Sequence, residues 1–120
     1  MINKVRLDDK FQLFNEYWSP KIVGEVNDTR VILAKLKGEF VWHKHDDEDE
    51  LFLIIKGRLQ IKLRDQDIWL DEGEFFIVPK GVEHLPVAEE EVHALVVQPT
   101  TTKHTGNLIT DRTLSTFERI

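Results

Sequence analysis

Turn-forming residues interrupt this chain at short intervals, at Asn27-Asp28, Gly38, Gly57, Asp65, Gly73, Pro79-Lys80-Gly81 and Pro99. The stretches between them suit β-strands and are too short for the helix that a parallel crossover requires. Within them apolar residues recur at every second position. Glu50, Phe52 and Ile54 share a face, as do Leu59, Ile61 and Leu63, and Ile68 with Leu70. Residues 22–23, 31–36, 75–78 and 92–97 are likewise apolar and rich in strand formers. In 40–45 the alternation places Val41, His43 and His45 on one face and Phe40, Trp42 and Lys44 on the other. About eight short strands joined by tight turns describe an all-β fold, either a closed barrel or a jelly roll.

Two segments depart from that pattern. Phe11, Phe14 and Trp18 fall on one face of a helix or helical turn over 8–18, with Asp8 and Asp9 placed to cap its first turn and Ser19-Pro20 to end it. These aromatics are expected to pack a lid onto the core or to form a dimer contact. Residues 99–120 are polar, yet Leu108, Ile109, Leu114 and Phe117 give them apolar surface to bury. That tail is expected to wrap the outside of the barrel or reach a partner subunit. The chain reads as one domain over 1–120, with the core barrel over about 22–98.

A chain of 120 residues can build a core without staples, and it has no cysteine for disulfides, thiolate chemistry or Cys-based zinc sites. The net charge of −6, with no basic run interleaved with aromatics, argues against nucleic acid or an acidic membrane as partner. No segment is long and apolar enough to cross a bilayer. A cytoplasmic protein is the expectation.

The candidate chemistry lies in two clusters. His43-Lys44-His45 is followed by Glu50, and Gly73, Pro79 and Gly81 lead to His84. Histidines two apart on a strand point the same way, so two imidazoles approach one ion from a single edge. A strand running back from the polar loop 46–49 can bring Glu50 against them, where a metal offsets the cost of an inward carboxylate. The turn 79–81 brings His84 in from a third direction. Three imidazoles and one carboxylate suit a divalent first-row transition metal.

These residues carry a resemblance to the cupin superfamily. Gly38, His43, His45, Glu50 and Gly57 match its first motif, except that Gly38 stands one residue closer to His43 than usual. Gly73, Pro79, Gly81 and His84 match the second, whose final Asn is Ala88 here. Fifteen residues separate Gly57 from Gly73, which is similar to the compact spacing of microbial single-domain cupins of the mannose-6-phosphate-isomerase-like type. The resemblance implies a double-stranded β-helix (jelly-roll) barrel, with a short N-terminal helix and a C-terminal wrapping segment added here. It also implies one divalent ion (Fe, Mn, Ni or Zn) held by His43, His45, Glu50 and His84, with positions left open for water or substrate.

His93 shares a face with Leu95 and Val97, and strand register decides whether that face is the cavity or the outside. A structural role is the leading reading for it and a catalytic base the weaker one. His104, in the polar tail, is expected to face solvent. The acidic run 46–49 reads as a solvated hairpin tip. Tyr17, Trp18 and Trp42 are read as core or interface packing, with closing or lining the pocket as the weaker reading.

Two functions follow from this. The first is a metal-dependent enzyme on a small organic substrate, a dioxygenase with Fe(II) or an isomerase or lyase with a redox-inert ion. The other is a non-catalytic module that binds or senses a metal or metabolite. A homodimer is expected in either case, through the face carrying Phe40 and Trp42.

Overall fold

One strand organises the molecule. The computed structural model describes residues 2–120, and in it β7 (His84–Pro99) pairs with three other strands. The remaining strands are β1 (Lys21–Val26), β2 (Thr29–Glu39), β3 (Glu50–Lys56), β4 (Leu59–Leu63), β5 (Asp67–Leu70), β6 (Phe75–Val78) and β8 (Glu118–Arg119). The start of β7 lies against β4, from Leu63↔His84 to Gln60↔Val87. Its second half lies against β3, from Lys56↔His93 to Leu51↔Val97, and β2 runs antiparallel along its other edge.

The strand changes layer at Glu89-Glu90-Glu91. Leu36 pairs with Val92 and Gly38 with Ala88, so β7 carries extra residues there and bends. Gly57 makes the bend possible. Its φ is +88° and a Cβ there would lie 2.8 Å from the Glu91 carbonyl, so only glycine lets the β3–β4 turn approach so closely.

The sheet runs β5-β4-β7-β2-β1-β8, with β3 and β6 branching from β7. The hydrogen bonding does not close around the barrel, which makes the fold a jelly roll of two facing layers rather than a sealed cylinder. The core lies between the layers. Ile32, Ala34 and Leu36 of β2, Val92, Ala94 and Val96 of β7 and Phe52 and Ile54 of β3 share it with Leu59 and Ile61 of β4. The alternation in β3 and β4 therefore holds as the sequence implies.

It fails in 40–45. That segment is irregular, with an isolated bridge at His43 in place of a continuous ladder, so a two-residue period does not apply. Phe40 is buried with its ring edge-on to His43, at 5.5 Å between centroids, and does not point away from the histidines.

The helix is also shorter than its spacing suggests. It spans Leu7–Phe11, and Asp8 and Asp9 lie in its first turn without capping it through a side chain. Phe11 and Phe14 pack on the outer face of β2 over Leu33, whereas Trp18 turns to the barrel mouth. One helix face cannot serve both directions, so the chain unwinds between them. Buried Lys35 holds this crossing by donating to the Phe14 carbonyl at 2.7 Å.

The tail crosses the mouth of the barrel. Arg112 donates to the carbonyls of Glu39 and Phe40 at 2.8 and 3.2 Å. Thr101 donates to Glu48 at 2.8 Å and Asn107 to Asp46 at 3.0 Å, so these two carboxylates of the acidic run anchor the tail. Glu118–Arg119 then pairs parallel with β1.

Candidate metal centre

The loop carrying His43 and His45 is stitched to the segment that leads into β7. His43 and His84 exchange backbone hydrogen bonds in both directions, at 3.1 and 2.9 Å. The Gly81 N–H donates to the His45 carbonyl at 2.7 Å, and the Lys80 N–H donates to Asp49 at 2.8 Å. Glu50, the first residue of β3, pairs with Val78 of β6 and points inward. Three chain segments thus deliver four side chains to one place.

His43, His45 and His84 are buried, and one ring nitrogen from each lies within 4.8 Å of the others. Glu50 Oε1 is 3.6 Å from both His45 Nε2 and His84 Nε2. The ring Nδ1 atoms of His43 and His84 face the carbonyls of Val41 and Val82 at 2.8 and 3.0 Å. A carbonyl only accepts, so those nitrogens carry the protons and Nε2 of each ring is left as a lone-pair donor. Burial, aided by the adjacent His84 ring, pushes His43 down to about 4, and burial also lowers His45. Burial opposes ionisation of Glu50, but the adjacent imidazoles of His84, His45 and His43 outweigh it and hold the carboxyl below its usual range. His43 and His45 are thereby held as neutral imidazoles at neutral pH, and Glu50 as a carboxylate.

Several of these atoms have no partner. His45 Nδ1 and Nε2, Glu50 Oε1 and His84 Nε2 are buried without a hydrogen bond. Left so, each costs about 1–3 kcal/mol. Three of the four converge in one spot, and a divalent transition ion accepts nitrogen and oxygen donors of this kind. The donor set fits a metal.

His93 is not brought to this place. It lies on the outer face of β7, stacked on Phe11 at 4.5 Å, with its Nε2 2.6 Å from Glu91. Tyr17 donates to the other oxygen of Glu91 at 2.7 Å, so the group pins the N-terminal segment to the sheet. Trp42 packs under Arg64 at 3.8 Å, while Trp18 lines the cavity.

Four further residues matter here. Gln98 donates from Nε2 to Glu50 Oε2, which leaves Oε1 for the histidines. The Gln98 amide is set in turn by Arg30, whose Nε and Nη2 both donate to Gln98 Oε1, at 3.1 and 2.6 Å. A polar residue two beyond Val96, on the face already occupied by Val92, Ala94 and Val96, was a signal in the alternation. Gly106, at φ +63°, brings the tail so close that a Cβ would lie 1.9 Å from the Lys44 carbonyl. His104 does not face bulk solvent. It lies between Phe40 and Phe117, at 5.2 and 5.5 Å, and accepts the Leu114 N–H on Nδ1 at 2.9 Å. Burial pushes it down to about 4.

Two outcomes follow for metal-free protein. Gln98→Leu strips Glu50 Oε2 of its donor and is expected to cost about 1–3 kcal/mol, read from the urea midpoint. An unchanged midpoint would show that the amide does not support the carboxylate. For pH, His43 and His104 both fall from 6.5 to about 4 on folding. In that window the unfolded chain takes up protons that the folded one refuses, so stability is full above 6.5 and is lost as pH drops toward about 4. A denaturation midpoint that stays flat from pH 7 to 4 would contradict this.

Comparison with known proteins agrees with this geometry. Residues 29–98 match the cupin domain family. A solved cupin-2 domain containing protein from Shewanella frigidimarina is 49% identical, with a TM-score of 0.78 over 79% of this chain and 93% of that one. Protein NMB1881 from Neisseria meningitidis is 26% identical, with a TM-score of 0.75 over 81% of this chain and 99% of its own. YdbB of Bacillus subtilis is 41% identical over 63 residues, 52% of this chain, which spans only 56% of that protein's length. The matched region contains most of the strand framework and all four side chains of the cluster, and the chain belongs to the cupin family.

Proposed function

We propose that this chain is a metal-dependent enzyme acting on a small organic molecule, with one divalent ion held by His43, His45, Glu50 and His84. The observation that carries this reading is Glu50 Oε1, a buried carboxylate oxygen with no hydrogen bond and two imidazole nitrogens 3.6 Å away. Bound there, Fe(II) would supply oxygen activation, and Zn, Mn or Ni would supply Lewis-acid polarisation of a carbonyl.

The chain's own residues prepare the place. The carbonyls of Val41 and Val82 hold the His43 and His84 rings in the tautomer that presents Nε2 inward. Gln98 occupies one carboxylate oxygen and turns the other toward the rings. Phe40, stacked on Trp18 at 4.7 Å, shields the side of His43 from water. Sugar-phosphate isomerisation is not part of this proposal, because no Lys or Arg lines the adjoining cavity.

A second reading, a non-catalytic metal or metabolite sensor, draws on one observation. Besides the proposed ligands, His104 is the one ionisable side chain lining that cavity, and its Nδ1 is already engaged by Leu114. Acid–base groups for elaborate chemistry are therefore scarce.

Elemental analysis is expected to find about one equivalent of transition metal per chain, lost in His43→Ala and Glu50→Ala while circular dichroism stays native. Oxygen uptake by Fe(II)-loaded protein on a panel of diols, thiols and β-diketones then separates the readings. Unchanged metal content in both variants would remove the site, and no turnover with any metal would leave the sensor.

Pairing of two copies belongs to the same proposal, supported by a different face from the one the alternation suggested. β6 pairs only with β3, and its outward Phe75 and Ile77 are 60% and 46% exposed. A second copy would cover that apolar pair and the free strand edge together. Light scattering is expected to give a dimer mass that Phe75→Lys halves, and a monomer mass for the unaltered chain would exclude it.

A further inference from the structure

His43 and Glu50 open onto a chamber of about 60 Å³ beside the cluster. At 10–15 Å³ per water-sized probe, that is room for roughly four to six non-hydrogen atoms. Its walls are carbon. Ile32, Ala34, Leu36, Phe52 and Val96 line it. The mouth is a run of four rings. Trp18 stacks on Phe40 with planes 9° apart, Phe40 meets His104, and His104 meets Phe117 edge-on. These rings come from the N-terminal segment, the histidine loop and the tail, which are far apart in sequence. Polar groups reach the chamber from His43, Glu50, Gln98 and His104, and no Lys, Arg, Ser or Thr does.

Trp18 gives an independent sign that this enclosure has a use. Its φ is +56°, a left-handed conformation that is strained for a bulky side chain. The strain is held by two bonds, from the Trp18 N–H to the Lys35 carbonyl at 3.0 Å and from the indole N–H to the Lys37 carbonyl at 2.9 Å. An extended Trp18 would carry the indole away from Phe40. The molecule instead holds the ring over the chamber.

We infer that the chamber binds a small ligand with an apolar body and a single anionic oxygen end, a short-chain carboxylate of three or four carbons. The polar end rests on the metal reading given above, and the apolar body does not. Three neutral imidazoles and one carboxylate leave a divalent ion with one positive charge to be met by one negative charge on the ligand. The carbon walls offer nothing to a polyol or a phosphate, whose hydroxyls and charges would lose water without replacement.

The test is isothermal titration of zinc-loaded protein with formate, acetate, propionate, butyrate, valerate and hexanoate, beside mannose 6-phosphate. Affinity is expected to rise about fourfold per methylene up to butyrate and no further, since each buried methylene contributes about 0.8 kcal/mol. Mannose 6-phosphate is expected to give no heat. Ala34→Leu, which fills the chamber, is expected to abolish the chain-length gain while zinc content is unchanged. Val96→Ala, which enlarges it, moves the optimum to a longer acid, so the result does not hang on one variant. A flat series, or mannose 6-phosphate binding tighter than butyrate, overturns the inference. A parallel series of n-propanol to n-hexanol, which needs no metal, separates the two readings. Length-dependent alcohol binding with no zinc retained sinks the metal site and leaves the apolar chamber. Flat alcohol and acid series with zinc retained sink the chamber and leave the metal.

Discussion

The ionised carboxylate of Glu50, enclosed with one oxygen satisfied and one not, is the constraint around which this structure is arranged. Burying such a charge is costly unless several partners share it. Here the partners come from every part of the fold. Gln98 stands near the end of β7, His84 at its start, His45 in the loop before β3, and Arg30 acts through Gln98 from β2. Remove the carboxylate and no reason remains for those side chains to converge inside an apolar barrel.

The convergence also explains the shape of β7. His84 and Gln98 are 14 residues apart on one strand, about 46 Å if extended, yet both reach the carboxylate of Glu50. The strand must fold back between them. It does so at Glu89-Glu90-Glu91, where the pairing with β2 slips and where Gly57 clears the space. The glycine that looked like a motif marker in the sequence is thus a steric condition for the site. It lets the strand bend, and the bend brings both ends of β7 to one carboxylate.

What the sequence revealed follows the same physics. His43, His45, Glu50 and His84 were legible because their spacings are local, and the turns that aim them are written in glycine and proline. The strand faces of β3 and β4 were legible because the period of two survives wherever a strand is regular. Phe40 was misplaced because 40–45 is held by the His43–His84 bridge and by the tail, not by a ladder, and without a ladder no period applies. The helix was drawn too long because Phe11, Phe14 and Trp18 fit one helical face, although they serve opposite sides of β2. His93 could be assigned only once the register against β3 and β2 was known. His104 and Gly106 left no local signal at all, since their roles exist only where the tail closes over the histidine loop.

The Arg30–Gln98–Glu50 relay shows why an amide stands between two charges. Arg30 spends its fork on Gln98 and on the tail carbonyls of Thr100 and Thr102, at 3.4 and 2.5 Å, and stacks on Phe117 at 4.5 Å. A direct Arg–Glu pair would cancel the carboxylate's charge and cover both its oxygens, leaving little to attract a cation. The glutamine passes on orientation without passing on charge. Its amide oxygen takes the guanidinium donors, so its amide nitrogen must face Glu50 and donate, and the remaining carboxylate oxygen is turned to the histidines still carrying its negative charge. Because the same guanidinium holds the tail, the position of residues 100–102 and the rotation of the Glu50 carboxylate are fixed by one group.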